Sequence, residues 1–186
     1  MLKKAIFLAA LAMPLAAWAF VKPVRVLAPQ LEGLACYGLV CVDDPAHRAK
    51  ATTLYGDAVR FVQASVGAMR TTPRALFCST PACSEKFGLN RRNAYTVGTF
   101  ALVIGDRGWQ PYYVRHELIH HLQNERLGSI RNSFLKPVWF REGMAYSLSE
   151  DPRRPLPEPL QGYRSEFEAW FRQIGLARLW GEAEKL

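Results

Sequence analysis

The chain has 186 residues, 49% of them hydrophobic, with 24 Lys and Arg against 16 Asp and Glu and a formal net charge of +8. That is enough for one domain with a real core, and no repeat or low-complexity tract interrupts it. The positive charge is dispersed (Arg91-Arg92, Arg153-Arg154, Arg172, Arg178), with no basic helix or aromatic-interleaved patch, so nucleic acid is not an expected partner. It reads as solvated surface, with an anionic envelope or membrane surface as a candidate contact.

Lys3 and Lys4 precede an apolar run from Ala5 to Ala17, and Ala17-Trp18-Ala19 has the A-x-A form of an export-signal cleavage site. The run is short for a bilayer span, and no cysteine follows the site at once to carry a lipid. Residues 1–19 are therefore expected to be a signal peptide. Residues 20–186 are expected to form a single exported domain, periplasmic or secreted, with no transmembrane span. An uncleaved anchor is the alternative.

From Phe20 to Val42 the chain is apolar and broken by Pro and Gly, which suggests a strand at Val24 to Leu27 and then a cross-linked loop. Four cysteines fall into two local pairs, Cys36 with Cys41 and Cys78 with Cys83. An even count at short spacing in an exported chain argues for disulfides, with a four-cysteine structural zinc as the rival. Closing so small a loop stabilises by about 2 kcal/mol in the chain-entropy picture.

Asp44-Pro45 supplies a cap and a first-turn proline for a helix to about Val66, with Leu54, Ala58, Phe61, Val62 and Val66 near helical period. Arg74 to Cys78 reads as a short strand. Thr80-Pro81 opens a turn or short helix carrying Cys83 and Phe87. Thr96 to Ile104 is the most strand-like run, ending at the Gly105-Asp106 turn.

Next comes His116-Glu117-Leu118-Ile119-His120, within a predicted helix from about Gln110-Pro111 to a stop at Gly128. Four residues of helix advance about 400°, so the two imidazoles project from one face and can meet at a single ion. Glu117 sits about 100° around from His116, within reach of a water at that ion without being forced to ligate it. His121 points away and is expected to pack or to donate a supporting hydrogen bond. A buried core pair is the plain alternative for His116 and His120. Ser129 to Lys136 reads as a polar connection.

A second helix-like run follows from Pro137 to about Ser149, carrying Glu142 among apolar and small neighbours. A catalytic zinc needs a third protein ligand and one open position, and Glu142 is the candidate. Gly143 and Ala145 are expected to let this helix approach the first. Asp151 to Pro157 is too proline-rich for a helix and reads as an extended strap. A short helix from Ser165 to about Gly175 is expected to bury Phe167, Trp170 and Phe171.

His116-Glu117-x-x-His120 followed by Trp139-Phe140-x-Glu142-Gly143-x-Ala145 resembles the gluzincin metallopeptidases, the peptidase-MA-like clan that includes thermolysin and the alanyl aminopeptidases. The resemblance covers Tyr95 to about Ser149. It implies an α+β, zincin-like fold, in which a small mixed sheet with an edge strand packs on the active-site helix beside a second ligand-bearing helix. It also implies one zinc ion per chain held by His116, His120 and Glu142, with Glu117 as general base. By the same resemblance, Gly98 to Val103 becomes the edge strand that pairs with extended substrate.

The Gly-rich, Glu-Asn-ending segment by which aminopeptidases grip a free N-terminus is missing, which favours an endopeptidase on peptide or protein substrates. The expected reaction is hydrolysis by metal-activated water. Tyr146, one turn beyond Glu142, is the first candidate to stabilise the oxyanion, with Tyr112, Tyr113, His121 and Tyr163 as rivals and a core aromatic as the alternative. Glu125, Glu150 and Asp151 are equal candidates to support the zinc histidines. Competing functions are a zinc amidase acting on envelope material and a zincin-fold binding or assembly protein with little turnover.

Overall fold

Two prolines decide how the described chain, residues 21–186 of a computed structural model, begins; the expected signal segment at 1–19 lies outside the described residues. Pro23 and Pro29 fix φ and each sits in the first turn of a helix, where a missing N–H costs nothing, so this stretch coils. It forms 3-10 turns at Lys22–Leu27 and Pro29–Glu32 in place of the strand expected at Val24 to Leu27. The loop expected next is instead a hairpin of β1 (Ala35–Tyr37) and β2 (Val40–Val42). Cys36 and Cys41 face each other across it and are joined by a disulfide. A second disulfide joins Cys78 to Cys83.

The sheet has five strands in the order β1-β2-β3-β5-β4, with β3 at Arg74–Phe77, β4 at Ala94–Val97 and β5 at Ala101–Ile104. The inner pairings are parallel and the two outer ones antiparallel. The run Thr96 to Ile104 is thus two strands rather than one. Gly98 turns the chain at φ 52°, and the Phe100 N–H closes the turn on the Val97 carbonyl at 2.9 Å. Apolar character alone could not mark that break, because both arms are strand-like. As a result β5 is interior and fully buried, and the edge strand is Ala94–Val97 rather than Gly98 to Val103.

Both sheet faces are covered. Val42, Phe77, Leu102 and Ile104 point to one side, into a core shared with Val62, Leu118, Leu122, Phe140 and Phe167. Their alternates Cys41, Leu76, Cys78 and Val103 point to the other, against Val26, Leu34, Phe87 and Leu89. Helix α1 (Arg48–Ser65) follows a 3-10 turn whose N-terminal Asp44 accepts from the Ala46 N–H at 2.9 Å. It buries Ala51, Tyr55, Ala58 and Val62 at helical spacing. The short α2 (Pro81–Lys86) is capped by the Thr80 hydroxyl, which accepts from the Cys83 N–H at 3.2 Å.

Helix α3 (Pro111–Leu127) lies between α1, β4 and β5 on one side and the later helices on the other. The polar connection expected after it is a further short helix, α4 (Ser129–Leu135), which buries Asn132 and leaves Ile130, Phe134 and Leu135 exposed. Then come α5 (Val138–Leu148) and a long α6 (Leu160–Lys185), interrupted at Gly175 with φ 69°. The last helix therefore extends well beyond Ser165 to Gly175 at both ends.

Gly143 serves a different neighbour from the one expected. A Cβ there would stand 2.2 Å from the Tyr163 carbonyl oxygen and 2.7 Å from Phe167 Cβ, so the glycine admits α6 against α5 rather than α5 against α3. Beside it, the buried Arg164 donates to three backbone carbonyls: Tyr146 at 2.9 Å, Asp151 at 2.7 Å and Arg153 at 2.8 Å. This clamps the end of α5 and the strap to α6. Gly143→Ala is expected to lower stability by about 3 kcal/mol through forced separation of the two helices. A urea midpoint equal to that of the parent protein would refute the close approach.

Candidate metal centre

The apolar residues of α3 decide where its histidines point. Val114, Leu118 and Leu122 are buried in the main core, which turns His116 and His120 toward α5. Glu142 projects from α5 to meet them. His116 Nε2 and His120 Nε2 lie 3.1 Å apart, and each is 3.7 Å from a Glu142 oxygen. All three donor atoms fall within 4.8 Å of one another. A tetrahedral ion with ligand bonds near 2.05 Å separates its ligands by about 3.3 Å, so the observed edges bracket that figure. Two imidazoles and a carboxylate in this arrangement can hold a metal ion.

Gln123 sets the geometry, and nothing in the sequence marked it. Its carboxamide is fully buried; the oxygen stands 2.9 Å from His120 Nδ1, and the Nε2 group donates to the Arg141 carbonyl at 3.0 Å. Because the amide nitrogen is committed to a carbonyl, the amide oxygen must face the imidazole and accept from Nδ1–H. In the neutral ring this leaves the Nε2 lone pair directed at His116 and Glu142, as metal ligation requires. None of the three acids considered for this role performs it. Glu125 accepts from Arg70, Thr71 and His121; Glu150 pairs with Arg115; Asp151 pairs with Arg153.

The electrostatics favour a cation among the three groups. Burial works against charge on His120, but the Glu142 carboxylate outweighs it and pushes the imidazole pKa up. Burial likewise opposes charge on Glu142, and the two histidines hold its carboxyl well below the usual carboxylate range.

Glu117 is 6% exposed and opens onto the same cleft. The Thr96 hydroxyl lies 2.7 Å from Glu117 Oε2 and 2.8 Å from the Glu117 carbonyl, and its one proton serves either. The other carboxylate oxygen, Oε1, accepts no hydrogen bond among the described residues, so it is free to take a proton. Thr96 sits on β4, which brings the edge strand beside the site.

The cleft has a volume of about 480 Å³, with walls that include Tyr95, Thr96, Tyr113, Asn124, Tyr146 and Arg153. The Tyr146 ring packs 4.5 Å from that of His116. Burial, followed by the nearby Glu142 charge, pushes its hydroxyl up to about 12, so it remains a proton donor at neutral pH. Of its rivals, Tyr113 reaches the cleft but is hydrogen-bonded to Asn93 and Arg153. His121 is buried elsewhere, on the Thr71 carbonyl and Glu125. Burial lowers its pKa below the ordinary histidine value, with Glu125 opposing. Tyr112 and Tyr163 lie off the cleft wall, and His47 stacks edge-on to Trp109.

Compared with known proteins, the chain matches no family model, no curated protein and no solved structure.

Removing the Gln123 carboxamide should release both the imidazole and the α5 backbone. Gln123→Ala is expected to weaken divalent-metal binding about 10- to 100-fold in competition with a coloured chelator. Glu142→Ala, which deletes a candidate ligand, should abolish it. Equal affinity of parent and Gln123→Ala would remove the amide from the account.

Proposed function

We propose that the chain is an exported zinc hydrolase with a zincin-like fold, and that it cleaves peptide bonds as an endopeptidase. The observation that carries this reading is the placement of His116, His120, Glu142 and the partly unengaged Glu117 around one cleft beside an edge strand. Two imidazoles and one carboxylate are a donor set suited to zinc, and three protein ligands leave a position for chemistry. Zinc bound there would supply a Lewis acid that polarises the substrate carbonyl and makes water acidic enough to deprotonate near neutral pH.

The protein's own groups do the rest. Glu117, oriented by Thr96, accepts the proton from the attacking water at Oε1 and returns it to the departing amine. Tyr146 directs a hydroxyl toward the oxygen that becomes negative as the carbonyl carbon turns tetrahedral. The Arg153 guanidinium stands 5.9 Å from the Tyr146 ring, its charge offset by the Asp151 carboxylate it pairs with. The free edge of β4 offers backbone N–H and C=O groups to an extended chain, which would lay the substrate across the cleft in register. Export agrees with two disulfides, and no helix of the described residues is long and apolar enough to cross a membrane.

Elemental analysis beside a peptide-cleavage assay tests the proposal. One zinc per chain is expected in the wild type and in Glu117→Gln, with turnover in the variant reduced about 10²- to 10⁴-fold. Tyr146→Phe should lower kcat about 10²-fold with little change in KM. Unaltered turnover in Glu117→Gln would overturn the assigned base, and a folded wild type that takes up no zinc would overturn the hydrolase.

A further inference from the structure

The charge on the cleft walls is one-sided. Four arginines line it (Arg91, Arg92, Arg141 and Arg153), whereas its only two acidic residues are Glu117 and Glu142, both part of the site itself. Two of the arginines are already occupied. Arg153 forms an ion pair with Asp151 and lies over the Tyr112 and Tyr113 rings. Arg92 lies over Tyr95 and donates to the Gly88 carbonyl.

Arg141 and Arg91 differ from these. Neither makes an ion pair or a side-chain hydrogen bond among the described residues, and Arg141 Nε is buried with no partner. Arg141 is also covalently next to Glu142, and its own carbonyl is held by Gln123, so its backbone position is fixed relative to the metal ligands. A guanidinium in that position presents a rigid fork of N–H donors, which a carboxylate satisfies with two parallel hydrogen bonds. Arg91, exposed on the approach to β4, extends the same positive field outward.

We propose that the cleft recognises substrates bearing a carboxylate beside the reacting bond, seated on Arg141 and steered in by Arg91. The shared chemistry is a carboxylate: on an acidic side chain it fits the endopeptidase reading, and on a chain terminus it would make the same site a carboxypeptidase. This rests on the hydrolase reading for the reaction, but the recognition itself is a binding property of these two side chains.

The test is fluorescence anisotropy with labelled peptides on the full oxidised protein carrying Glu117→Gln, which slows turnover enough for binding to be read before cleavage. The probes are a blocked peptide alternating Glu and Ala, its Gln-Ala counterpart, and the Gln-Ala peptide with a free C-terminus. The Glu-Ala peptide, the free-ended peptide or both should bind about tenfold tighter than the blocked Gln-Ala form, a difference of about 1.4 kcal/mol. Arg141→Gln should remove most of that preference, Arg141→Lys should restore part of it, and Arg91→Gln should reduce it. Arg91 is exposed, so its variant reports even if Arg141→Gln folds poorly.

Arg178→Gln, on an exposed arginine of α6 outside the cleft, should change nothing. Tighter binding of the Glu-Ala peptide alone identifies an acidic side chain as the recognised group; tighter binding of the free-ended peptide alone identifies the chain terminus. Equal binding of all three probes, or a loss at Arg178→Gln equal to that at Arg141→Gln, overturns the proposal. A carboxylate preference in a protein that takes up no zinc would remove the hydrolase and leave the recognition standing. Zinc uptake and turnover without the preference would do the reverse.

Discussion

One side-chain amide fixes how the two helices that carry the candidate ligands meet. Gln123 has a single acceptor facing His120 and a donor facing the Arg141 carbonyl, and both bonds form together only when α3 and α5 sit in one relative position. A shift of either helix would strand a fully buried polar group, at about 1–3 kcal/mol for each bond lost. The same contact selects the histidine tautomer. Ligand chemistry and helix docking therefore share one constraint, which is why an uncharged residue matters here as much as the charged ones around it.

The other wall of the site is built by α6. Arg164 is a buried cation with its guanidinium on three main-chain carbonyls, and burial with neighbouring Arg154 pulls its pKa below the ordinary arginine value. Carbonyl dipoles solvate the charge in place of water, so the helix end and the strap are held by the group that most needs them. Gly143 makes this possible by removing the one Cβ that would keep α6 off α5. Around Tyr146 and Arg153, rigidity arrives from a helix that contributes no ligand.

Sequence signals with a fixed local meaning were readable. Pro111 and Gly128 bounded α3, Thr80-Pro81 opened α2, and the cysteines paired at their shortest spacing, whereas Asp44 caps the 3-10 turn that leads into α1 rather than α1 itself. The four-residue spacing of the histidines and the small-residue setting of Glu142 named the three residues that converge. What escaped depended on partners remote in sequence. Gly98 reads the same inside a strand as in a turn, so the residue pattern does not tell which arm of the hairpin is the edge. Gly143 announces a close approach but not to which helix. A glutamine has no periodicity or charge to single it out, and its partner carbonyl lies on another helix. The expected signal segment, residues 1–19, lies outside the described residues.

The clamp of Arg164 on Tyr146, Asp151 and Arg153 has a consequence for any attempt to reduce this site to a minimal unit. His116 to Glu142 would carry every candidate ligand, and grafting that stretch onto a foreign scaffold would transplant the helix pair with its glutamine latch. The graft would leave behind the residue that anchors the far wall, and with it the pose of the tyrosine and the arginine. Such a transplant would inherit the candidate metal-holding helix pair and not a shaped cavity. In modular terms, the indivisible piece runs from β4 through the first turns of α6.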